Sequence, residues 1–147
     1  MKTVDARTRI ELLDHDECLR LLAADEIGRL AVLDGHTPII LPVNYRLDGE
    51  AVVFRTDPGT KLDRGPRAPA SFEIDRFDRE HRTGWSVVVV GRLEEVTPYD
   101  ARTMERVNLL PVDPWAEGDK VHWMRLMPTR ITGRRVGERG PERGAGR

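Results

Sequence analysis

Three turn signals cut the first half of the chain into pieces too short for anything but strands: Asp34-Gly35, Asp48-Gly49 and Asp57-Pro58-Gly59. Glycine takes a positive φ without steric penalty and aspartate bonds its own backbone, so each signal reverses the chain. The pieces between them, residues 27–33, 39–47 and 51–56, are apolar and rich in β-branched side chains. This spacing predicts three strands joined by two turns, the third stopped by the Asp-Pro-Gly triplet.

The second half repeats the pattern with longer pieces. Residues 71–77 alternate Phe72 and Ile74 with charges, and residues 85–96 form the longest β-favouring segment, with four valines from Val87 to Val90 expected at the centre of a sheet. Residues 122–136 read as a last strand, with Pro128 confined to an edge or a bulge. Two segments have helical character. Asp14 followed by Glu17 is a capping pair ahead of Cys18, Leu21 and Leu22, which predicts a helix over 14–25. Thr97-Pro98 predicts a cap and first-turn proline for a helix reaching Leu110, with Met104, Val107 and Leu109 or Leu110 as its buried stripe. Residues 60–70, basic and proline-bearing, are expected to hold one helical turn within a loop, and residues 111–120 to be irregular. Six short strands and two substantial helices give a mainly β fold, a six-stranded antiparallel barrel, because closure removes exposed sheet edges. The expected organisation is an N-terminal tail over 1–10, one domain over 11–137 and a disordered tail over 138–147.

Composition narrows the function classes. The 24 basic residues nearly balance 25 acidic ones, so no global field draws the chain to nucleic acid or an acidic membrane. Arginines between Arg64 and Arg82 are interleaved with Asp63, Glu73, Asp75, Asp78 and Glu80, which reads as a solvated face. Cys18 is the single cysteine, and His15, His36, His81 and His122 lie far apart without an H-E-x-x-H pattern, so a zinc site is not expected. No signal-peptide core follows Met1 and no apolar run approaches the roughly 20 residues that span a bilayer, so the expected location is the cytoplasm.

Three constellations carry possible chemistry. Arg55-Thr56, a tight turn and then Gly59-Thr60-Lys61 bring cations, hydroxyls and backbone N–H groups to one strand end, which is what a phosphomonoester needs. The same residues also fit a solvated turn. The order departs from a P-loop, and neither G-x-G-x-x-G nor G-x-S-x-G is present, so Rossmann and serine-hydrolase sites are unsupported. In Leu41-Pro42-Val43-Asn44-Tyr45 the proline is expected to interrupt a ladder and free backbone groups, while Asn44 offers both a donor and an acceptor to a heterocycle edge; an ordinary edge strand fits equally. Thr83-Gly84-Trp85-Ser86 places an aromatic plane and a hydroxyl at a strand entrance, where Trp85 could equally be a core or rim side chain.

Taken in order, the capped helix, Gly28-Arg29-Leu30-Ala31, Pro42-Val43-Asn44-Tyr45, Phe54-Arg55-Thr56, Gly59-Thr60-Lys61-Leu62, Trp85-Ser86 with the valines and Gly91, and the late Arg125-Leu126-Met127-Pro128 strand resemble the pyridoxamine 5'-phosphate oxidase-like proteins, particularly the branch near nitroimidazole-resistance proteins. The likeness covers about residues 11–136. It implies an FMN-binding split β-barrel that forms a homodimer with two flavin sites across the interface. Carried over, Arg55, Thr56, Thr60 and Lys61 would hold the phosphate, and Val43, Asn44, Trp85 and Ser86 would border the isoalloxazine. The implied function is an FMN-dependent oxidoreductase acting on a small organic substrate. The alternatives are a deazaflavin-dependent reductase and a non-catalytic module that stores or senses flavin or haem. The flavin does the redox chemistry, so no catalytic acid or base is required. Pro128-Thr129-Arg130-Ile131-Thr132-Gly133 replaces the C-terminal pattern that grips the vitamer in pyridoxamine phosphate oxidases, and Thr56-Asp57-Pro58 stands where nitroimidazole-resistance proteins often carry a histidine.

Overall fold

The computed structural model describes residues 3–5, 7–57, 68–116 and 122–137 of the chain. Nine strands and two helices are present among them, in the order β1 (Thr3–Asp5), β2 (Ile10–Leu13), α1 (His15–Ala24), β3 (Ile27–Asp34), β4 (Thr37–Asn44), β5 (Arg46–Asp48), β6 (Ala51–Thr56), β7 (Ala68–Asp78), β8 (Thr83–Glu95), α2 (Ala101–Asn108) and β9 (His122–Val136). All pairings are antiparallel. The sheet runs β1-β2-β9-β8-β7-β3-β4, and β6 joins the other end of β9 while also pairing with β5.

Six strands, β4-β3-β7-β8-β9-β6, curl into the expected split barrel, and the valine strand lies between β7 and β9 as its pattern requires. Three short strands, β1, β2 and β5, add to the six. The β1–β2 pair has no glycine at its turn: Arg9 takes the left-handed conformation, φ 58°, that glycine usually supplies. The segment 39–47 divides at Tyr45 into β4 and β5. β7 starts at Ala68, three residues before the expected Ser71, because Ala68, Pro69 and Ala70 pair with Leu93, Arg92 and Gly91. Pro128 does sit at a bulge: Val90 pairs with Arg130 and Gly91 with Pro128, leaving Thr129 extra.

Asp14 caps α1 by accepting from the Glu17 backbone N–H at 2.8 Å. The second helix starts later than expected. Asp100, not Thr97, is its cap, accepting from the Thr103 N–H at 3.2 Å, so Pro98 lies ahead of the helix. Val107 is fully buried on its inner face with Thr103, whereas Leu109 is exposed.

The barrel interior is filled from alternate positions on every wall: Leu30 and Val32, Val52 and Phe54, Phe72 and Ile74, Val87 and Val89, and Leu126, closed at one end by Cys18, Leu21 and Leu22 of α1. Tyr45 lies at the centre, wholly buried, with its ring 4.7 Å edge-on from Phe72. Its hydroxyl donates to the Leu22 carbonyl at 2.7 Å, which ties the barrel to the end of α1. A second, smaller cluster of Val53, Val96, Val107, Val112 and Trp123 seats α2 on the outside of β6 and β9.

Candidate functional site

The barrel is not closed everywhere. β4 pairs with β3 alone, while the next strand of the same chain segment, β5, pairs with β6. The segment 37–48 therefore forks at Tyr45. After it, Arg46 lies opposite Val53; were that ladder to continue backwards, Asn44 would meet Arg55 and Val43 would meet Thr56. It stops instead, and a cavity of about 200 Å³ takes its place, bordered by Leu41 to Asn44 on one side and Phe54 to Thr56 on the other.

Two features of the sequence keep the seam open. The Tyr45 N–H donates to the Glu26 carbonyl at 3.0 Å, which makes Tyr45 and Glu26 a hydrogen-bonded pair. In an antiparallel ladder such pairs alternate, so Val43, Leu41 and Ile39 also bond to β3, while Asn44, Pro42, Ile40 and Pro38 turn their backbone groups away from it. The prolines thus do not interrupt the β3–β4 ladder, contrary to the sequence expectation. They remove donors from the other edge, where a further strand would need them. Tyr45, anchored in the core, holds the point of the fork.

The cavity wall is apolar where Leu30, Leu41, Val43 and Phe54 contribute and polar where Asn44, Arg55 and Thr56 do. Thr56 is a buried hydroxyl. Arg55, half-buried, lies with its guanidinium 5.2 Å from the centre of the Trp123 ring, an arrangement that keeps the cation at the rim of the barrel. The third wall comes from afar: Pro114 and Ala116 line the cavity, and the Trp115 N–H between them donates to Oδ1 of Asn44 at 3.0 Å.

Four of the eight sequence-predicted residues, Val43, Asn44, Arg55 and Thr56, thus come together around one cavity. Thr60 and Lys61 fall outside the described residues, as does the helical turn expected over 60–70 in all but its last three residues, which are strand. Trp85 and Ser86 are not in this wall. They occupy opposite faces of β8, Trp85 packing half-buried against the main core and Ser86 facing outward between Asp75 and Arg134. From sequence, Trp115 is a candidate to reach the flavin of a partner subunit or to pack; the sequence carries no pattern linking the 114–116 segment to residue 44 of its own chain. Among the described residues no cluster of histidine, cysteine or carboxylate side chains is arranged to hold a metal, and no helix is long and apolar enough to cross a membrane.

Comparison with known proteins identifies the architecture. A sequence model of the pyridoxamine 5'-phosphate oxidase family matches residues 14–135. An uncharacterized protein of Mycobacterium tuberculosis is 34% identical over 137 residues, covering 89% of this chain and 88% of that protein. Among solved structures, the FAD binding protein from Mycobacterium smegmatis is 33% identical with a TM-score of 0.69, covering 84% of this chain and 97% of that one. A conserved protein of unknown function from Corynebacterium diphtheriae is 31% identical, also with a TM-score of 0.69, covering 85% and 96%.

Proposed function

The chain belongs to the pyridoxamine 5'-phosphate oxidase family, and on that premise we propose that it binds FMN in the β4–β6 seam and is an oxidoreductase acting on a small organic molecule. The observation that carries this reading is the seam itself: a cavity where a ladder stops, apolar along Leu41, Val43 and Phe54 and polar toward Arg55 and the buried Thr56. Such a cavity fits a fused ring system between Leu41 and Val43 on one strand and Phe54 on the other. Arg55 and Thr56 suit a phosphate, with Thr60 and Lys61 following in the sequence. The flavin would supply the redox chemistry. The chain's own residues bind it, orient its ring and keep water from its buried face. FAD is the alternative flavin, since the M. smegmatis relative is described as FAD binding; its second phosphate and adenosine would extend beyond the Arg55 end of the seam.

We also propose that two copies assemble through the outer face of the sheet. Ile40 and Ala31, Ser71 and Val90 form one row across β4, β3, β7 and β8, and Ile40 is 69% exposed. A row of small and apolar side chains of this kind on an exposed sheet face favours burial. Ser86 projects on the same face, which would bring it to a partner's site.

The test is a visible spectrum of the purified protein after loading with FMN or FAD and gel filtration. Flavin bands retained in a dimer-sized peak support the reading, and a colourless monomer contradicts it. Arg55→Ala, which removes a charge-assisted contact of about 1.5–3 kcal/mol, is expected to weaken FMN binding roughly ten- to a hundredfold in equilibrium dialysis.

A further inference from the structure

We infer that Asn44 is a specificity-determining contact of the seam whose Nδ2 donates to the ligand, so that the ligand edge facing Nδ2 is an acceptor, a carbonyl oxygen. The inference rests on the flavin reading of the same cavity and sharpens it.

An asparagine amide has one accepting and one donating end, and the two are told apart only by their partners. Here the partner decides. The Trp115 backbone N–H can only donate, so the atom 3.0 Å away must be Oδ1, and the amide cannot flip. Nδ2 then lies on the opposite side of the planar group. Asn44 is half-buried in the cavity wall, and among the described residues its Nδ2 has no hydrogen-bond partner.

The partner is itself held in place. Val112 is buried in the second core cluster, its N–H donating to the Leu110 carbonyl at 2.8 Å, and Pro114 and Ala116 flank Trp115 in the cavity wall. The strap therefore sets the amide rather than following it. A ring edge that presents N–H to Nδ2 would meet donor with donor and be disfavoured, while an acceptor edge there completes the hydrogen bonding of a half-buried group. Were that edge a flavin carbonyl, which stays an acceptor and gains electron density on reduction, the fixed Nδ2 donor would favour the reduced form and raise the midpoint potential.

Two variants separate the donor from the strap. Asn44→Ala removes both; Asn44→Asp keeps an oxygen for the Trp115 N–H but offers the ligand no donor. With wild type, each is loaded with FMN, checked by thermal melting, and measured for FMN affinity and for the midpoint potential of the bound flavin. The expected result is that Asp fails to rescue. Both variants should bind the reduced form at least ten times less tightly relative to the oxidised form, which lowers a two-electron potential by about 30 mV. Asn44→Asp matching wild type in affinity and potential, with or without a defect in Asn44→Ala, overturns the inference while leaving the flavin reading intact. Wild type that retains neither FMN nor FAD overturns both.

Discussion

Along β8 and β9 every residue from Gly84 to Glu95 finds a partner, the ladder absorbing an extra residue at Thr129 without breaking. Between β4 and β6, both of which turn apolar side chains toward the core, no ladder forms and a cavity opens. The difference is not hydrophobicity but the supply of backbone donors and the path of the chain. Glycine at position 91 lets β9 bulge and continue; prolines at 38 and 42 deprive an edge of N–H groups, and Tyr45 pulls the chain from one neighbour to the other. One barrel thus contains a wall that supplies rigidity and a seam that supplies binding. A site built on strands braced by a continuous ladder is held more precisely than one built on loops.

Breaking the wall should cost more than altering the seam. A Cβ at Gly91 would run into the Met127 carbonyl, which is backbone and cannot swing aside. Gly91→Ala is expected to lose about 3 kcal/mol in denaturant unfolding, with any flavin lost only as the fold is lost. The point of the fork comes next. Tyr45→Phe keeps the ring against Phe72 but leaves the Leu22 carbonyl without its donor. The expected cost is about 1–2 kcal/mol, with a fall in flavin affinity when measured well below the unfolding midpoint. Unchanged affinity would mean that the fork does not shape the seam.

The smallest effect lies where α1 meets the last turn of the wall, at the end of β9. Arg20 and then Arg135 hold the Glu17 carboxyl at a pKa of about 2, below its ordinary 4.5. The folded form favours the ionised group, so its contribution is present above pH 4.5 and is lost as pH falls towards 2. Glu17→Gln should flatten the acid limb of a melting-temperature profile in that window and leave it unchanged near neutrality, where the seam works.

How legible this was from sequence follows the same division. The wall is written in local chemistry: β9 begins and ends at the predicted residues, the valines mark the central strand, and Pro128 sits at the bulge a proline demands. The Asp14 cap is equally local. Where another residue does an unusual job, the signal fades, as with Arg9 in a glycine's conformation or Asp100 capping a helix whose start signal in the sequence is Thr97-Pro98. Two walls of the seam were readable in part: Arg55 and Thr56 end a strand beside a turn signal, and Val43 and Asn44 follow Pro42 in an apolar run, with an amide able to donate and accept. Its third wall was not, because the bond from Trp115 to Asn44 spans 71 positions and depends on how α2 docks.

The most direct test of the central claim, that the unladdered seam is the flavin site, is amide hydrogen exchange with and without saturating FMN. The account predicts slowed exchange in peptides covering residues 39–44, 53–56 and 112–116, with little change along 89–95 and 128–132. Protection confined to the cleft around Arg9, Arg82 and Gly137 at the far turns, or none in the seam despite bound flavin, would contradict it.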